Sequence, residues 1–303
     1  MSEKPYLSAG EFYKQKFGER IIKIPLNLGL TCPNRDGTKG RGGCIFCSAN
    51  GSGDFAGSPG LSVTEQFYQI KAVMDKKWKS GAYMPYFQAF TNTYAPTSFL
   101  RASFYEAASL PNVKALSIAT RPDCLESDKI DLIKELNEKL YTCVELGLQT
   151  SNEKTGKFIN RCFDNDCFKS AVKNLEGIDV IAHIILGLPG ETKEDMLASV
   201  RFAVDCGVKG IKLQLLHVLK NTALGKIYEE KPFPLPTFEE YADLVVSCVE
   251  ILPENIVVHR ITGDGRGQDL IAPLYSKNKK LVLNTINKEF VKRNTKQGNR
   301  YNY

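Results

Sequence analysis

The sequence predicts an α/β fold, an open and partial (β/α)6 barrel of TIM-like architecture followed by a C-terminal helical extension. Apolar, strand-like runs alternate with helical patterns along most of the 303 residues, and this alternation is typical of a parallel sheet with helices outside. Several runs are apolar without strict alternation, as expected for strands buried on both faces. Because there are six units and not the eight of a closed barrel, we expect the barrel to be open.

The predicted units repeat about every 30 to 60 residues, the length of a βα unit with decorated loops. Strands are predicted at 21–28, 84–91, 113–119, 141–148, 179–186 and 209–216. Helices between them are predicted at 62–78, 98–109, 127–139, 165–176 and 193–205.

Two regions are expected along the chain. Residues 1–230 would form the barrel core, and residues 231–303, which begin with the proline-rich link KPFPLP, would form the extension. The extension is predicted to contain a helix at 237–251, a short apolar run IVVHR, and a basic helix with a frayed tail at 277–303.

The composition is that of a soluble globular protein, with 43% hydrophobic and 24% charged residues. No run approaches the roughly 18 apolar residues of a membrane span. The opening MSEKPYLSAG shows no charged-then-apolar leader. Nine cysteines in such a chain indicate thiols or metal ligands and not disulfides. We therefore expect a cytoplasmic protein without a membrane contact.

The net charge of +6 is concentrated at the C-terminal end. The tail, residues 277–303, sets eight lysines and arginines against Glu289 alone, which gives it +7 and leaves −1 for the other 276 residues. A terminal basic segment is a common footprint of a nucleic-acid partner. A solvated, charged helix is the equally weighted alternative.

A loop after the first strand carries three cysteines, Cys32, Cys44 and Cys47. The segment TCPNRDGTKGRGGCIFC is rich in glycine and polar residues and follows an apolar run, which predicts a long loop at residues 31–55. Three thiolates on one loop favour a soft metal or an iron–sulfur cluster. With three cysteine ligands, one iron of a cubane stays free to bind another ligand. Loops that follow barrel strands lie at the C-terminal mouth, where barrels carry their chemistry.

Other interpretations of the cysteines are less favoured. Structural zinc needs a fourth cysteine or histidine, and none of the three histidines lies near the loop, namely His183, His217 and His259. Disulfide pairing is disfavoured by the missing secretory leader. Cys162 and Cys167 flank FDND on the side of the expected active site, where a hydrogen-atom donor or a second cluster is an open alternative to plain thiols.

The spacing C-x11-C-x2-C, with Phe46 before the last cysteine, resembles an expanded cluster motif of the radical S-adenosylmethionine (SAM) enzymes. The sequence of this segment is most similar to that of the YhcC/YtqA group, which includes MnmL-type enzymes and is related to the Elongator catalytic subunit. The resemblance implies a [4Fe-4S] cluster, SAM on the unique iron, and an electron donor such as flavodoxin or ferredoxin. It implies reductive cleavage of SAM to a 5′-deoxyadenosyl radical, in a site that the protein shapes and keeps dry.

The resemblance also assigns SAM contacts. Relatives hold the SAM amine where this chain has three residues of FTNTYAP, Thr91, Asn92 and Thr93. The segment ELGLQTSNEKTGKFINR assigns Gln149 to the ribose and Arg161 to the SAM carboxylate, a partner that suits a guanidinium. Glu145 would point toward the mouth or the lumen, and an ion pair with a basic residue is its alternative role.

The segment AHIILGLPGET resembles the motif that approaches adenine in the superfamily. A tight turn at GLPG, with Gly187 and Pro189, would let backbone groups reach the adenine. His183 stands where some relatives place a ribose-binding acid, and a satisfied core histidine is the alternative. The end of the sixth strand, at Leu215, completes the expected cofactor contacts.

The leading hypothesis is a radical SAM enzyme that acts on tRNA. The resemblance implies modification of the C5 side chain of wobble uridine, from the carboxymethylaminomethyl to the aminomethyl type. The basic tail suits a tRNA partner because phosphates supply most sequence-independent affinity, and replacing Lys292 and Arg293 with glutamate is expected to weaken RNA binding. One alternative is a radical SAM enzyme for a small molecule. The second is a zinc-binding, non-catalytic RNA-binding protein.

Overall fold

A computed structural model describes residues 4–51, 53, 56–263 and 267–301. The main sheet contains the strands β1 Ile21–Leu26, β2 Ala82–Phe87, β3 Ala115–Thr120, β4 Tyr141–Gln149, β5 Asp179–Leu186, β6 Gly210–Leu215 and β8 Val257–Arg260. These seven strands are parallel and ordered β1-β2-β3-β4-β5-β6-β8, which makes a half-barrel. A separate antiparallel pair is formed by β7 Val218–Leu219 and β9 Leu270–Ala272.

Ten helices are present in the described residues: α1 Ala9–Phe17, α2 Val63–Lys77, α3 Thr97–Ala108, α4 Ser127–Lys139, α5 Glu153–Phe158, α6 Asn165–Asn174, α7 Lys193–Asp205, α8 Ala223–Glu230, α9 Phe238–Glu250 and α10 Lys279–Arg293. Capping boxes start α2, α7 and α9 at Ser62, Thr192 and Thr237, where the cap hydroxyl and an acidic residue three positions on satisfy free N–H groups. Within these described stretches, no helix combines the length and apolarity needed to cross a bilayer.

The predicted partial barrel is confirmed, and all six predicted strands are present. The predicted number of strands is one too low, because the run IVVHR pairs with β6 as a seventh strand. The proposed boundary between core and extension at residue 230 is therefore crossed by the sheet. Strand β2 ends at Phe87, four residues before its predicted end at residue 91. The chain turns back there, and the Nδ2 of Asn92 donates to the carbonyl oxygens of Phe87 at 3.0 Å and Ala119 at 2.9 Å.

The outer face of the sheet packs against the surrounding helices. Strand β1 shows this in its burial, since Ile22, Ile24 and Leu26 are buried while the alternate residues, which face the lumen, are partly exposed. At the C-terminal end, α10 packs on α9 and buries an apolar stripe with a spacing of four residues, Val282, Ile286 and Phe290.

Helix α1 covers the N-terminal end of the barrel. It packs against both edge strands, β1 and β8. Its Tyr13 is buried, with ring centroids 6.2 Å from Tyr141 and 6.0 Å from His259. Tyr141 is the first residue of β4 and therefore marks the N-terminal end of the sheet. With this end covered, the lumen opens toward the C-terminal mouth.

The prediction of a frayed tail is wrong for the residues after α10 up to residue 301, because this segment packs on the rest of the protein. The buried Gln297 accepts from the backbone N–H of Leu7 at 2.8 Å and donates to the carbonyl oxygens of Pro253 and Ile256 at 2.6 and 2.8 Å. Residues 253–256 precede β8, so the docked tail lies at the N-terminal end of the barrel, opposite the mouth.

Candidate active site

The loop with the three cysteines is fastened to the segment that follows β4. The Nδ2 of Asn34 donates to the carbonyl oxygen of Asn160 at 2.6 Å and lies 3.6 Å from the Sγ of Cys44. In return the Nδ2 of Asn160 donates to the carbonyl oxygen of Gly43 at 2.8 Å. Asn160 has a φ of 56°, a left-handed conformation that asparagine tolerates well. Two asparagines therefore hold the cysteine loop at the mouth.

The cysteine thiols form a donor set suited to a cluster. Cys32, Cys44 and Cys47 are half-buried and free. A hydrogen bond from the Cys47 thiol and the charge of Arg121 outweigh burial and lower the pKa of Cys44 to about 7. An environment that favours thiolate favours soft metals.

The same thiols do not resemble a zinc site. Across residues 4–51, 53, 56–263 and 267–301, no three His, Cys, Asp or Glu side chains are arranged to hold one metal ion. A cubane has another requirement, because each cysteine binds a separate iron and the thiols stand farther apart. The donor chemistry and the loop therefore fit a cubane with three protein ligands.

Two buried oxygen atoms at the end of β2 fit a ligand with N–H donors. The Oγ1 of Thr91 and the Oδ1 of Asn92 are buried without a hydrogen-bond partner. An unsatisfied buried polar atom costs about 1–3 kcal/mol, so a donor at this place would be favoured, as the predicted SAM amine would be. Thr93 differs, because its hydroxyl is engaged by Thr120 and by the carbonyl oxygen of Cys124.

Gln149, the predicted ribose contact, ends β4 at a bulge and has a φ of 64°. With the amide oriented to satisfy its surroundings, the nitrogen donates to the carbonyl oxygens of Gly147 at 3.2 Å and Leu148 at 3.0 Å. The side chain is thus folded onto its own strand. A ribose contact would require the amide to turn away from these two carbonyls.

Arg161, the predicted contact of the SAM carboxylate, is fully buried and serves a structural role here. Its N–H groups donate to Phe163, Leu148, Thr150, Glu153 and Asn165. A guanidinium has five N–H donors, and all five have protein acceptors. A contact with the SAM carboxylate stays a prediction, and it would require Arg161 to exchange its ion pair with Glu153.

Arg121 is a cation at the mouth that the sequence analysis missed. It follows β3 directly and forms a two-point ion pair with Asp123, at 2.8 and 2.9 Å. Its Nη2 also donates to the carbonyl oxygen of Arg161 at 3.1 Å. Its charge lowers the pKa of Cys44. A basic residue directly after a barrel strand was the signal available in the sequence.

Glu145 lies at the centre of the lumen and is fully buried. It joins side chains from five other strands, and we call the whole set the lumen cluster, which consists of Lys23, Tyr86, Ser117, Glu145, His183 and Lys212. Burial opposes ionisation of Glu145, but the charges of Lys212 and Lys23 outweigh it and hold its pKa well below 4.5. Glu145 therefore has the alternative role expected for it, an ion pair.

His183 belongs to this cluster. Its Nε2 lies 2.7 Å from Glu145 Oε2, and its Nδ1 lies 3.4 Å from Gln214 Nε2. Burial and the charge of Lys212 outweigh the carboxylate and lower the pKa of His183 to about 4. The ring is therefore neutral at physiological pH. Its contact with a ribose stays a prediction.

The GLPG turn forms as predicted, with a φ of 89° at Gly187 and 82° at Gly190. A Cβ at Gly187 would lie 2.8 Å from Pro236 Cδ, so packing of the proline-rich link also requires this glycine. Pro189 is half-buried on the turn. Leu215 is buried in the main core, which leaves only its backbone for a cofactor.

An apolar cluster covers one side of the mouth. Phe46, from the cysteine loop, packs against buried residues that follow several strands, Ile159, Leu188, Leu216, Val218 and Leu224. Beside it, burial raises the pKa of Glu191 to about 7. The Oε1 of Glu191 accepts from Thr150 Oγ1, and its Oε2 is buried without a hydrogen-bond partner. Glu191 belongs to the segment GLPGET, and the sequence pattern did not identify it as a site residue.

Lys23 and Lys212 were also missed, although the sequence contained a signal. Each is the third residue of a mostly apolar strand, IIKIPL and GIKLQL. A lysine in a strand with two buried faces needs a partner or a ligand, since burying an unpaired charge is costly.

Comparison with known proteins connects this site to a family. Residues 29–203 match the Radical SAM superfamily, and residues 208–292 match the Radical_SAM C-terminal domain. Over 299 residues the chain is 46% identical to the uncharacterized protein YtqA of Bacillus subtilis, covering 98% of this chain and 93% of YtqA. It is 35% identical to protein YhcC of Escherichia coli K12, covering 88% of this chain and 85% of YhcC.

A solved structure shares the fold. Elp3 of the archaeon Methanocaldococcus infernus superimposes with a TM-score of 0.66 at 17% identity, covering 91% of this chain. The chain spans 64% of that longer protein, so the likeness concerns the fold alone. The superfamily match and the relatives along nearly the whole length confirm the family predicted from the cysteine motif: this chain belongs to the radical SAM superfamily.

Proposed function

We propose that this radical SAM enzyme modifies tRNA, and that it converts the C5 side chain of wobble uridine from the carboxymethylaminomethyl to the aminomethyl type. The carboxymethyl group would leave as glyoxylate, with water supplying the aldehyde oxygen and SAM accepting the two electrons as it becomes methionine and 5′-deoxyadenosine. When bound, a [4Fe-4S] cluster and SAM supply a 5′-deoxyadenosyl radical after one electron arrives from a flavodoxin- or ferredoxin-type donor. Cys32, Cys44 and Cys47 would hold the cluster. Thr91 and Asn92 offer the two buried acceptors for the SAM amine.

The observation that carries the tRNA proposal is a rim of exposed cations around the mouth. The cysteine loop, α5 and α8 adjoin one another, since the N–H of Leu224 donates to the carbonyl oxygen of Ile45 at 2.8 Å and the N–H of Ile45 donates to that of Ile159 at 3.1 Å. The rim on and beside these elements consists of Arg41, Lys154, Lys157, Lys220 and Lys226, all exposed. None of the five forms an ion pair with another described residue.

An aromatic side chain interrupts this rim. Phe158, the last residue of α5, is 44% exposed and adjoins Lys157. Exposed aromatic side chains stack on unpaired bases, and neighbouring cations bind phosphates. A tRNA backbone along the rim would place a single unpaired base above the lumen, which suits an enzyme that acts on a base in a loop.

The C-terminal tail is a weaker candidate for the RNA contact. Arg293 is mostly buried and pairs with Asp243, Glu250 and Glu289. Lys296 pairs with Glu254 at 3.2 Å. The docked tail also lies at the end of the barrel opposite the cysteines. Replacing Arg293 would therefore disturb the α9–α10 packing, so a loss of RNA binding in this variant would not by itself identify an RNA contact.

The proposal is tested with protein purified and reconstituted under argon. The substrate is tRNA whose wobble uridine carries the carboxymethylaminomethyl group, and digested nucleosides are identified by mass spectrometry. We expect the aminomethyl nucleoside to appear only with SAM and a reductant. Cys44→Ala should abolish it, while Cys206→Ala, a half-buried thiol at the end of α7, should not. SAM cleavage without any change in the tRNA would contradict the proposal and favour a small-molecule substrate.

A further inference from the structure

When both of its lysines are protonated, the lumen cluster contains more positive than negative charge. Burial lowers the pKa of Lys212 to about 7, so this state prevails below pH 7. Lys23 and Lys212 lie on either side of a single carboxylate, Glu145, at the positions where they contact it. His183 adds no charge, because burial lowers its pKa to about 4. A purely structural network would be expected to balance its charges, since burying excess charge is costly.

Some N–H donors of the two cluster lysines also have no acceptor among the described residues. Among the described residues, the Nζ of Lys23 has one acceptor, Glu145. The Nζ of Lys212 has two, Glu145 and the hydroxyl of Tyr86. An ammonium has three N–H donors, so three of the six point at no described acceptor. Both Nζ atoms also lie over the ring of Tyr86, at 4.6 and 4.7 Å from its centroid, a cation–π contact that attracts an ammonium group but offers it no oxygen acceptor.

The cluster can be reached from the mouth. Apart from Tyr86, which lies one position before the end of β2, its residues lie three or four positions before the C-terminal ends of their strands. At the rise of a strand this places them roughly 10 Å below the mouth. The side chains of Lys23 and His183 are 28% and 19% exposed. Because α1 covers the opposite end, a substrate group would enter from the side where the cysteines lie.

We propose that the lumen cluster is a subsite for a carboxylate of the substrate, bound by the ammonium groups of Lys23 and Lys212. This rests on the proposed function, in which the substrate side chain ends in a carboxylate and the product side chain does not. The cluster would then hold the substrate side chain extended into the lumen and release the product, whose shorter side chain ends at the amine. An RNA phosphate is a poor occupant, because the cluster is enclosed by strands and the rim cations already meet the backbone.

The matched variants are Lys23→Met and Lys71→Met. Lys23 is the more exposed of the two cluster lysines, so its loss leaves the Lys212–Glu145 pair intact. Lys71 has the same side-chain exposure, 28%, and pairs with Asp75 on α2, outside the barrel. The two substitutions change the net charge equally. Lys23→Arg is the conservative variant that keeps a cation in the lumen.

The measurement is the affinity for two anticodon stem-loop RNAs by fluorescence anisotropy. Their wobble uridines carry either a carboxymethylaminomethyl or a methylaminomethyl group, so they differ in the carboxylate. We expect the wild type and Lys71→Met to prefer the carboxylated RNA by about tenfold, which corresponds to about 1.4 kcal/mol. Lys23→Met should lose the preference while still binding both RNAs, and Lys23→Arg should recover part of it. Retention of the preference in Lys23→Met would overturn the subsite.

A second experiment separates the subsite from the proposed function. If the wild type binds neither RNA, or if Lys23→Met binds neither, N-methylglycine is tested as a carboxylate probe on the wild type. Protection of Lys23 and Lys212 from carbamylation by cyanate, read by peptide mass spectrometry, would support the subsite. Methylamine, which lacks the carboxylate, should not protect. Equal carbamylation with and without N-methylglycine would reject the subsite, whatever the natural substrate is.

Discussion

At the level of single residues, the lumen cluster shows how the barrel changes the chemistry of ordinary side chains. Lys212 has its pKa lowered to about 7 by burial, although Glu145 acts in the opposite direction. Glu145 stays ionised because two lysines face it. The side chains come from strands that are far apart in sequence, so the pattern predicted that Glu145 faces the lumen but not which partners it meets.

His183 gives a prediction for the dependence of stability on pH. Its folded pKa, about 4, lies below the ordinary value of 6.5, so the unfolded chain binds a proton that the folded chain refuses. The free energy of unfolding should therefore fall as the pH is lowered from about 6.5 to about 4, by up to about 3 kcal/mol from this residue. His183→Gln keeps a donor toward Glu145 and should remove this loss.

The check is urea unfolding of both proteins at several pH values between 7.5 and 4.5. We expect the stability of the wild type relative to His183→Gln to decrease steadily below pH 6.5. Glu145, Lys212, Gln214 and Arg260 surround the ring and are common to both proteins. Two stability curves that stay parallel over this range would show that His183 is not held neutral.

A family motif identifies residues near the site, but it does not give their hydrogen-bond partners. The sequence INR correctly places Arg161 beside the mouth, but its acceptors are mostly backbone carbonyls, which no motif encodes. Thr91 and Asn92 are the opposite case. Their placement follows from the motif, and their unpaired oxygens support the predicted role. The sequence can thus predict that a residue lies near a site more readily than it can predict whether the hydrogen-bonding groups of that residue already have protein partners.

At the level of elements, the strands and most helices could be predicted because their apolar patterns are local. The helix at Lys193–Asp205 was predicted without error in its bounds. Helix α1 was missed although its signals, a capping Ser8 and a terminal Gly18, are present. The role of β8 could not be predicted, because a strand of four residues, VVHR, does not encode which strand it pairs with.

The cysteine loop gives a prediction about close packing. A Cβ at Gly40 would lie 2.1 Å from Asn34 Oδ1 and 2.8 Å from Cys162 Sγ. Asn34 is buried and cannot yield, because its Nδ2 holds Asn160 and Cys44. Gly40→Ala should therefore displace the loop, at a cost of about 1–3 kcal/mol, and reduce the iron retained after reconstitution.

Iron per chain and visible absorbance measure this effect. Gly60→Ala is the matched control, because a Cβ there meets nothing within 4 Å, and it should retain the iron of the wild type. If Gly40→Ala also retained full iron, the packing of Gly40 against Asn34 would not be needed for the cluster.

At the level of the whole molecule, the position of charge along the chain differs from its position in space. The tail contributes +7 to the sequence, yet several of its cations pair with acids of α9 and the following loop, at the end of the barrel away from the cysteines. The rim cations are scattered in sequence and meet only after folding. The family could be recognised because its motif is local, whereas the RNA-facing surface required the fold.

The most direct test of the account is whether the three cysteines support SAM cleavage. Protein reconstituted with iron and sulfide under argon is assayed for both elements and then given dithionite and SAM. We expect about four iron and four sulfide per chain, as in a cubane, and formation of 5′-deoxyadenosine that is lost in Cys44→Ala. Stoichiometric zinc without 5′-deoxyadenosine would contradict the account and favour a non-catalytic RNA-binding protein.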